Sequence, residues 1–207
     1  MLLRARVSLL DRPGALLAVA KVIADLGGNI VDIEILAASD GRVIDDLLVD
    51  MPAGSQDTLV NQLATAHAEV LSLRRTVRLS GQRPDLDLLG RIASEPAAAL
   101  ATLVSLAPPI WSADWALVIA SASGEIVRSS PGAPTPAPAG LPVPLGPLPR
   151  RALVDGTAGG QFEVVGTRWG GEHQIYLGRI DGPTFLQVEM VQLRRILELA
   201  TNLARPT

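Results

Sequence analysis

The sequence predicts an α+β protein built of two successive units, and three observations carry that expectation. Over the first eighty residues the apolar pattern switches between period two and period 3.6, in the order strand, helix, strand, strand, helix, strand. A polar break containing a proline, Gln82 to Asp85, separates this stretch from the rest. The second stretch opens with helix, passes through alternating segments and closes in a long amphipathic helix. A chain of 207 residues, 48% of them apolar, can fill two cores of roughly 100 residues each. Units at 1–80 and 85–205 are expected.

From Leu3 to Leu10 apolar residues alternate with Arg4, Arg6 and Ser8, a strand with one buried face. Asp11-Arg12-Pro13-Gly14 then turns the chain: proline presets one backbone angle and glycine removes the Cβ. Leu16, Val19, Ala20, Ile23 and Leu26 make one helical stripe from about Ala15 to Leu26, and Gly27-Gly28 stop it. Asn29 leads into a strand over Ile30–Ala37, with Val31, Ile33 and Ile35 on one face and Asp32 and Glu34 on the other. Asp40-Gly41 signals a two-residue hairpin turn into a strand from Val43 to Met51. Ser55 is placed to cap a helix carrying Leu59, Leu63 and Ala66, and a fourth strand runs from Val70 to about Leu79. This order closes as a four-stranded antiparallel sheet with both helices on one face.

In the second stretch Leu86, Leu89, Ile92 and Ala93 space a short helix, and Ser94-Glu95-Pro96 starts another that reaches Leu106 before Pro108-Pro109. Trp115–Ser121 and Glu125–Ser129 read as a hairpin with Leu117 and Ile119 inside. Pro131 to Pro149 holds half of the chain's 16 prolines and is expected as a mobile or polyproline-like insertion outside the core. Arg151–Val154 reads as a helical turn, and Gln161–Trp169 and His173–Ile180 as strands joined across Gly170-Gly171; Gly159-Gly160 reads as a turn. Thr184 and Gln187 have capping-box spacing for a last helix, whose inner face carries Met190, Leu193, Leu197 and Ala200, widened by Ile196 and Leu203.

Net charge is −3, with no basic stripe, so nucleic acid is not an expected partner. The absence of cysteine excludes disulfides, thiolate metal sites and cysteine nucleophiles, and fits a reducing cytoplasm. No apolar run reaches the ~20 residues that span a bilayer, and the first residues lack a signal-peptide core. Nucleophile-elbow, phosphate-loop and dinucleotide patterns are missing, so an enzyme is not expected, nor a cofactor. Asp45 and Asp46 fall on opposite faces of one strand and are expected as solvated or edge-protecting charges; His67 and His173 have no ligand-type spacing. Trp111, Trp115 and Trp169 are assigned to packing.

The residues Leu9 to Leu16, followed by Gly27-Gly28-Asn29-Ile30 in this topology, resemble the ACT family of amino-acid-sensing regulatory domains over residues 1–79. The resemblance implies a ferredoxin-like fold, a homodimer, and a small-molecule site between subunits. On this sequence the site would comprise Asp11, Arg12, Pro13, Gly14, Ala15 and Leu16 from one protomer, facing Asn29 and Ile30 of the other. The backbone supplies a physical reason: N–H groups opening a helix lack internal partners, and an amino acid's carboxylate is stabilised there by ~0.3–1 kcal/mol plus direct hydrogen bonds. Pro13 and Gly14 also suit a plain helix start, and Asn29 a plain strand start.

The second stretch resembles a GAF domain over about residues 85–205, on the opening helix followed by Ser112-Ala113-Asp114-Trp115 and on Gly182-Pro183-Thr184-Phe185 before the last helix. That resemblance implies a pocket roofed by the middle segment, here the proline-rich one, without a cyclic-nucleotide signature or chromophore cysteine. The expected function is a non-catalytic regulator that dimerises and binds an amino acid or similar metabolite, its second unit relaying or anchoring. The alternative is a ligand-free scaffold docking on an enzyme or signalling protein.

Overall fold

A computed structural model describes residues 1–76, 83–144, 148–156, 160–180 and 182–205. The chain is α+β, with two antiparallel sheets and five α-helices among these residues. It divides into two compact units, Met1–Arg78 and Leu79–Thr207.

In the first unit, strands β1 (Leu2–Leu10), β2 (Asn29–Ser39), β3 (Arg42–Asp50) and β4 (Glu69–Arg75) form one sheet in the order β2-β3-β1-β4. Helices α1 (Ala15–Asp25) and α2 (Gln56–Thr65) connect them. Alternation sends Leu3, Ala5, Val7 and Leu9 to the helix side, where they meet Leu47 and Val49 of β3, Val19 and Ile23 of α1, and Leu59 and Leu63 of α2. This core has no aromatic residue, and Phe, Trp and Tyr are absent before residue 111.

The helix stop is the expected one: Gly27 takes φ +73°, its N–H donates to the Ala24 carbonyl and that of Gly28 to Ile23, closing the last turn of α1. Asp40 and Gly41, at φ +54° and +70°, make the two-residue hairpin turn between β2 and β3. Ser55 precedes α2, but its hydroxyl donates to the Pro52 carbonyl at 2.8 Å and caps no helical N–H. Strand β2 is bulged near Val31 and Leu36, so the expected Val31-Ile33-Ile35 alternation holds only for Ile33 and Ile35. The expected end of the fourth strand, 77–79, and Gln82 at the expected boundary lie outside the described residues.

In the second unit, α3 (Pro84–Ser94) already includes Pro84 and Asp85, whose carboxylate takes two hydrogen bonds from Arg83 at 3.2 and 3.0 Å. A 3₁₀ turn, Pro96–Ala98, leads into α4 (Ala99–Ile110). Pro108 and Pro109 do not end α4; they sit in its last turn, where Trp111 N–H still reaches the Ala107 carbonyl at 3.1 Å. Strands β5 (Trp115–Ala120), β6 (Ile126–Ser129), β7 (Arg150–Asp155), β8 (Gln161–Trp169) and β9 (His173–Ile180) pair in the order β6-β5-β9-β8-β7. β7 corrects the expected helical turn: it is an edge strand pairing with β8, and Val154 alone of its residues is buried, which leaves little alternation to read.

Helix α5 (Gln187–Leu203) starts three residues later than Thr184, because Glu189 reaches back to the Leu186 N–H at 2.8 Å and fixes the first turn there. Its inner face carries Met190, Leu193, Ile196, Leu197 and Ala200, all buried as expected, whereas Leu203, expected to widen that face, is exposed in the last turn. One sheet face packs on α3, α4 and α5. The other is covered by the proline-rich segment: Ala133, Ala137 and Leu141 lie against the cluster of Trp115, Leu117, Val164 and Tyr176. The described part of that segment has no regular structure, yet it is core lining rather than a free insertion. Gly159 and residues 145–147 lie outside the described residues. No helix among the described residues is long and apolar enough to cross a membrane.

Candidate functional site

The turn between β1 and α1 is built around Gly14, which holds φ +87° and ψ −7°, a conformation that costs a residue with a Cβ about 1–2 kcal/mol. Backbone bonds fix its approach: Asp11 N–H donates to the Gly41 carbonyl at 2.8 Å, Arg12 N–H to Leu10 at 2.9 Å, and Ala15 N–H to Arg12 at 3.2 Å. Gly14 is the helix N-cap and has no side chain to satisfy the N–H groups of the first turn, and no acidic residue stands in that turn. A Cβ placed on Gly14 would meet no atom within 4 Å. Asp11, Arg12, Pro13 and Gly14 are exposed, Ala15 and Leu16 half-buried, and Leu17 projects outward at 72% exposure. The turn therefore presents unpaired helix N–H groups in an open, partly apolar setting, suited to an anion carrying an apolar body.

Asn29 is exposed and Ile30 half-buried at the start of β2. Their placement follows from Gly28, where a Cβ would come within 2.2 Å of the Met51 sulfur, so glycine alone lets the chain pass that close to the core. Asn29 pairs with Asp50, whereas Leu10, the last residue before the turn, pairs with Arg42. Eight steps of β3 at about 3.3 Å each separate the two levels, roughly 26 Å. Within one protomer the expected site residues thus fall into two groups at opposite ends of the sheet.

Strand β2 is a sheet edge, and its outer residues are apolar: Ile33 and Ile35 are 38% and 68% exposed. Beside them the expectation of solvated aspartates fails. Asp45 and Asp46 do point to opposite faces, but both are buried. Asp46 accepts a 2.9 Å bond from Arg6 on the face away from the helices, with Arg4 at 3.9 Å. Asp45 pairs with Val7 and Ile35 on the helix side, is 3% exposed, and its Oδ1 has no hydrogen-bond partner. Burial raises its carboxyl pKa above the ordinary value. Period-two counting separated the two faces correctly, but exposure depends on what packs against each face of the sheet, which no local pattern encodes.

In the second unit the residue that sequence reasoning missed is Arg179. It is 1% exposed, its guanidinium donates to the carbonyls of Trp111, Ser112 and Pro183 at 2.8, 3.2 and 2.9 Å, and it pairs with Glu189 at 2.5 Å. Its carbon lies 3.8 Å over the Phe185 ring. The two segments singled out in the sequence, Ser112–Trp115 and Gly182–Phe185, are therefore tied together by one buried cation. On the opposite sheet face, Trp115 and Phe162 meet edge to face at 5.6 Å, and the Tyr176 hydroxyl donates to Gln174. Trp111, Trp115 and Trp169 are all buried, in keeping with packing roles. No group of three or more His, Asp or Glu residues suited to a metal occurs among the described residues.

Residues 4–67 match the family model of the ACT domain. No curated protein matches the chain. Three solved structures are similar to it. A formyltetrahydrofolate deformylase from Pseudomonas putida KT2440 is 15% identical over 46% of this chain and 39% of that one, with a TM-score of 0.31. An unknown protein from Galdieria sulphuraria is 9% identical over 98% and 90%, TM-score 0.33. A proposed glycine cleavage system transcriptional repressor is 12% identical over 94% and 89%, TM-score 0.33. The chain thus spans well under half the length of the deformylase.

Proposed function

With its N-terminal unit an ACT domain, we propose that the protein is a non-catalytic regulator that dimerises through this unit and binds an amino acid or a similar small metabolite between subunits. The observation that carries the reading is the separation of Gly14 and Asn29 to opposite ends of one sheet. A two-fold axis beside the β2 edge reverses one protomer against the other, so that the turn Asp11–Leu16 of one meets Asn29 and Ile30 of the other. The exposed Ile33 and Ile35 support that edge as the contact, since an apolar edge strand left open invites pairing. In this arrangement the N–H groups behind Gly14 hold the ligand carboxylate and Asn29 completes the site.

The second unit acts as the GAF-like relay or anchor. The packing of Ala133, Ala137 and Leu141 against Trp115 and Tyr176 favours anchoring, because the chain's own segment lies where a roofed ligand would sit. Thermal-shift measurements with the twenty amino acids, on the wild-type protein and on Asn29→Ala, test the proposal. At least one amino acid should stabilise the wild type and lose most of that effect in the variant. A flat response across the panel would refute ligand binding and favour the scaffold reading.

A further inference from the structure

We infer that Asp45 reads a second positive charge on the ligand, so that the site takes a basic amino acid with its α-carboxylate at the Gly14 turn and its side-chain cation at Asp45. The inference rests on the amino-acid reading above and narrows it to a class. Its starting point is a carboxyl oxygen that the fold leaves buried without a hydrogen bond. Asp45 lies on the side of β3 that carries Val43 and Leu47, the side that faces the helices, and its Oδ1 is buried without a hydrogen bond. A buried acid in that condition destabilises the domain, and replacement by an apolar residue would remove the cost. Asp46, one residue on, shows the contrast, since Arg6 neutralises it.

Position supplies the second half of the argument. Asp45 is three residues along β3 from Arg42, the level at which β1 ends and the turn begins. For a carboxylate seated at the level of the turn, those three strand steps, about 10 Å, lie beyond an α-ammonium, which is bonded to the carbon bearing the carboxylate, but suit a cation on a four-carbon stem. On one flank Asp45 has the fully buried Val7; on the other it has Ile35 of the edge strand, 68% exposed. The carboxyl group is therefore at the margin of the core on the β2 side, where the subunit contact is placed. A cation arriving there would give it the charge-assisted hydrogen bond that the protein alone does not.

Isothermal titration of the full chain with lysine, arginine and norleucine tests this without altering the fold, because norleucine keeps the lysine stem and lacks the ammonium. The wild type should bind lysine or arginine at least about tenfold more tightly than norleucine. In Asp45→Asn that preference should collapse to within about twofold, with circular dichroism confirming the fold. A wild type that binds norleucine as well as both cations, or an Asp45→Asn protein that keeps the preference, overturns the role of Asp45 and leaves amino-acid binding intact. A protein that binds none of the three, nor any other amino acid, overturns both.

Discussion

Replacing Gly14 by alanine should separate backbone strain from every other role of the turn. At φ +87° a Cβ residue pays the left-handed penalty of about 1–2 kcal/mol, partly offset by about 0.4–1 kcal/mol from a stiffer unfolded chain. No steric term adds to this, since the new methyl group meets nothing within 4 Å. The net loss, on the order of 1 kcal/mol, corresponds to a fall of about 4–8 °C in the melting temperature of a unit the size of Met1–Arg78. Tryptophan fluorescence cannot report it, because all aromatic residues lie at position 111 or beyond. Far-UV circular dichroism or amide hydrogen exchange over residues 15–25 is the suitable readout. Gly14→Asn should lose less than Gly14→Ala, because asparagine tolerates the left-handed region. An alanine variant as stable as wild type, or an asparagine variant weaker than alanine, would refute the strain argument.

Arg179→Met should destabilise the second unit by about 3–5 kcal/mol by stranding Glu189, and Arg179→Met/Glu189→Leu should recover only part of it, because the Trp111, Ser112 and Pro183 carbonyls and the Leu186 N–H stay without their partners; urea unfolding followed by tryptophan fluorescence reads both. Asp45→Asn should stabilise the first unit by on the order of 1 kcal/mol at neutral pH, and the gain should vanish in acid. The sign follows from the raised pKa: the folded state holds the Asp45 proton more tightly, so the penalty is absent where both states are protonated and develops as pH rises through the folded value. Equal gains at pH 4 and pH 8 would contradict this. Ile35→Glu should leave the fold within about 0.5 kcal/mol of wild type but convert a dimer to monomers in sedimentation, if the β2 edge is the contact.

The first unit was legible because its signals are local. Gly27-Gly28 and Asp40-Gly41 each specify one backbone solution, and β1 alternates without interruption. What escaped the sequence depends on neighbours distant in the chain. Asp45 was misplaced in exposure because its face of the sheet is the one that packs on the helices, β7 because an edge strand with one buried residue carries almost no pattern, and the start of α5 because Glu189 rather than Thr184 supplies the capping group. Arg179 had no signal at all: its partners lie 67 and 68 residues back and 4 to 10 residues ahead. The turn at Gly14 was legible as geometry, whereas its wide separation from Asn29 becomes visible only once the strand register is known.

That separation has a genetic consequence for the proposed dimer. Each site would take its turn from one chain and its asparagine from the other, so a lesion at Gly14 and a lesion at Asn29, each inactive alone, would not be equivalent when the two chains are mixed. A hybrid dimer would gather both lesions into one site and leave the second wholly wild type. Two defective alleles expressed together would then restore about half of the dimers to one working site each, whereas two alleles damaged at the same end would restore none.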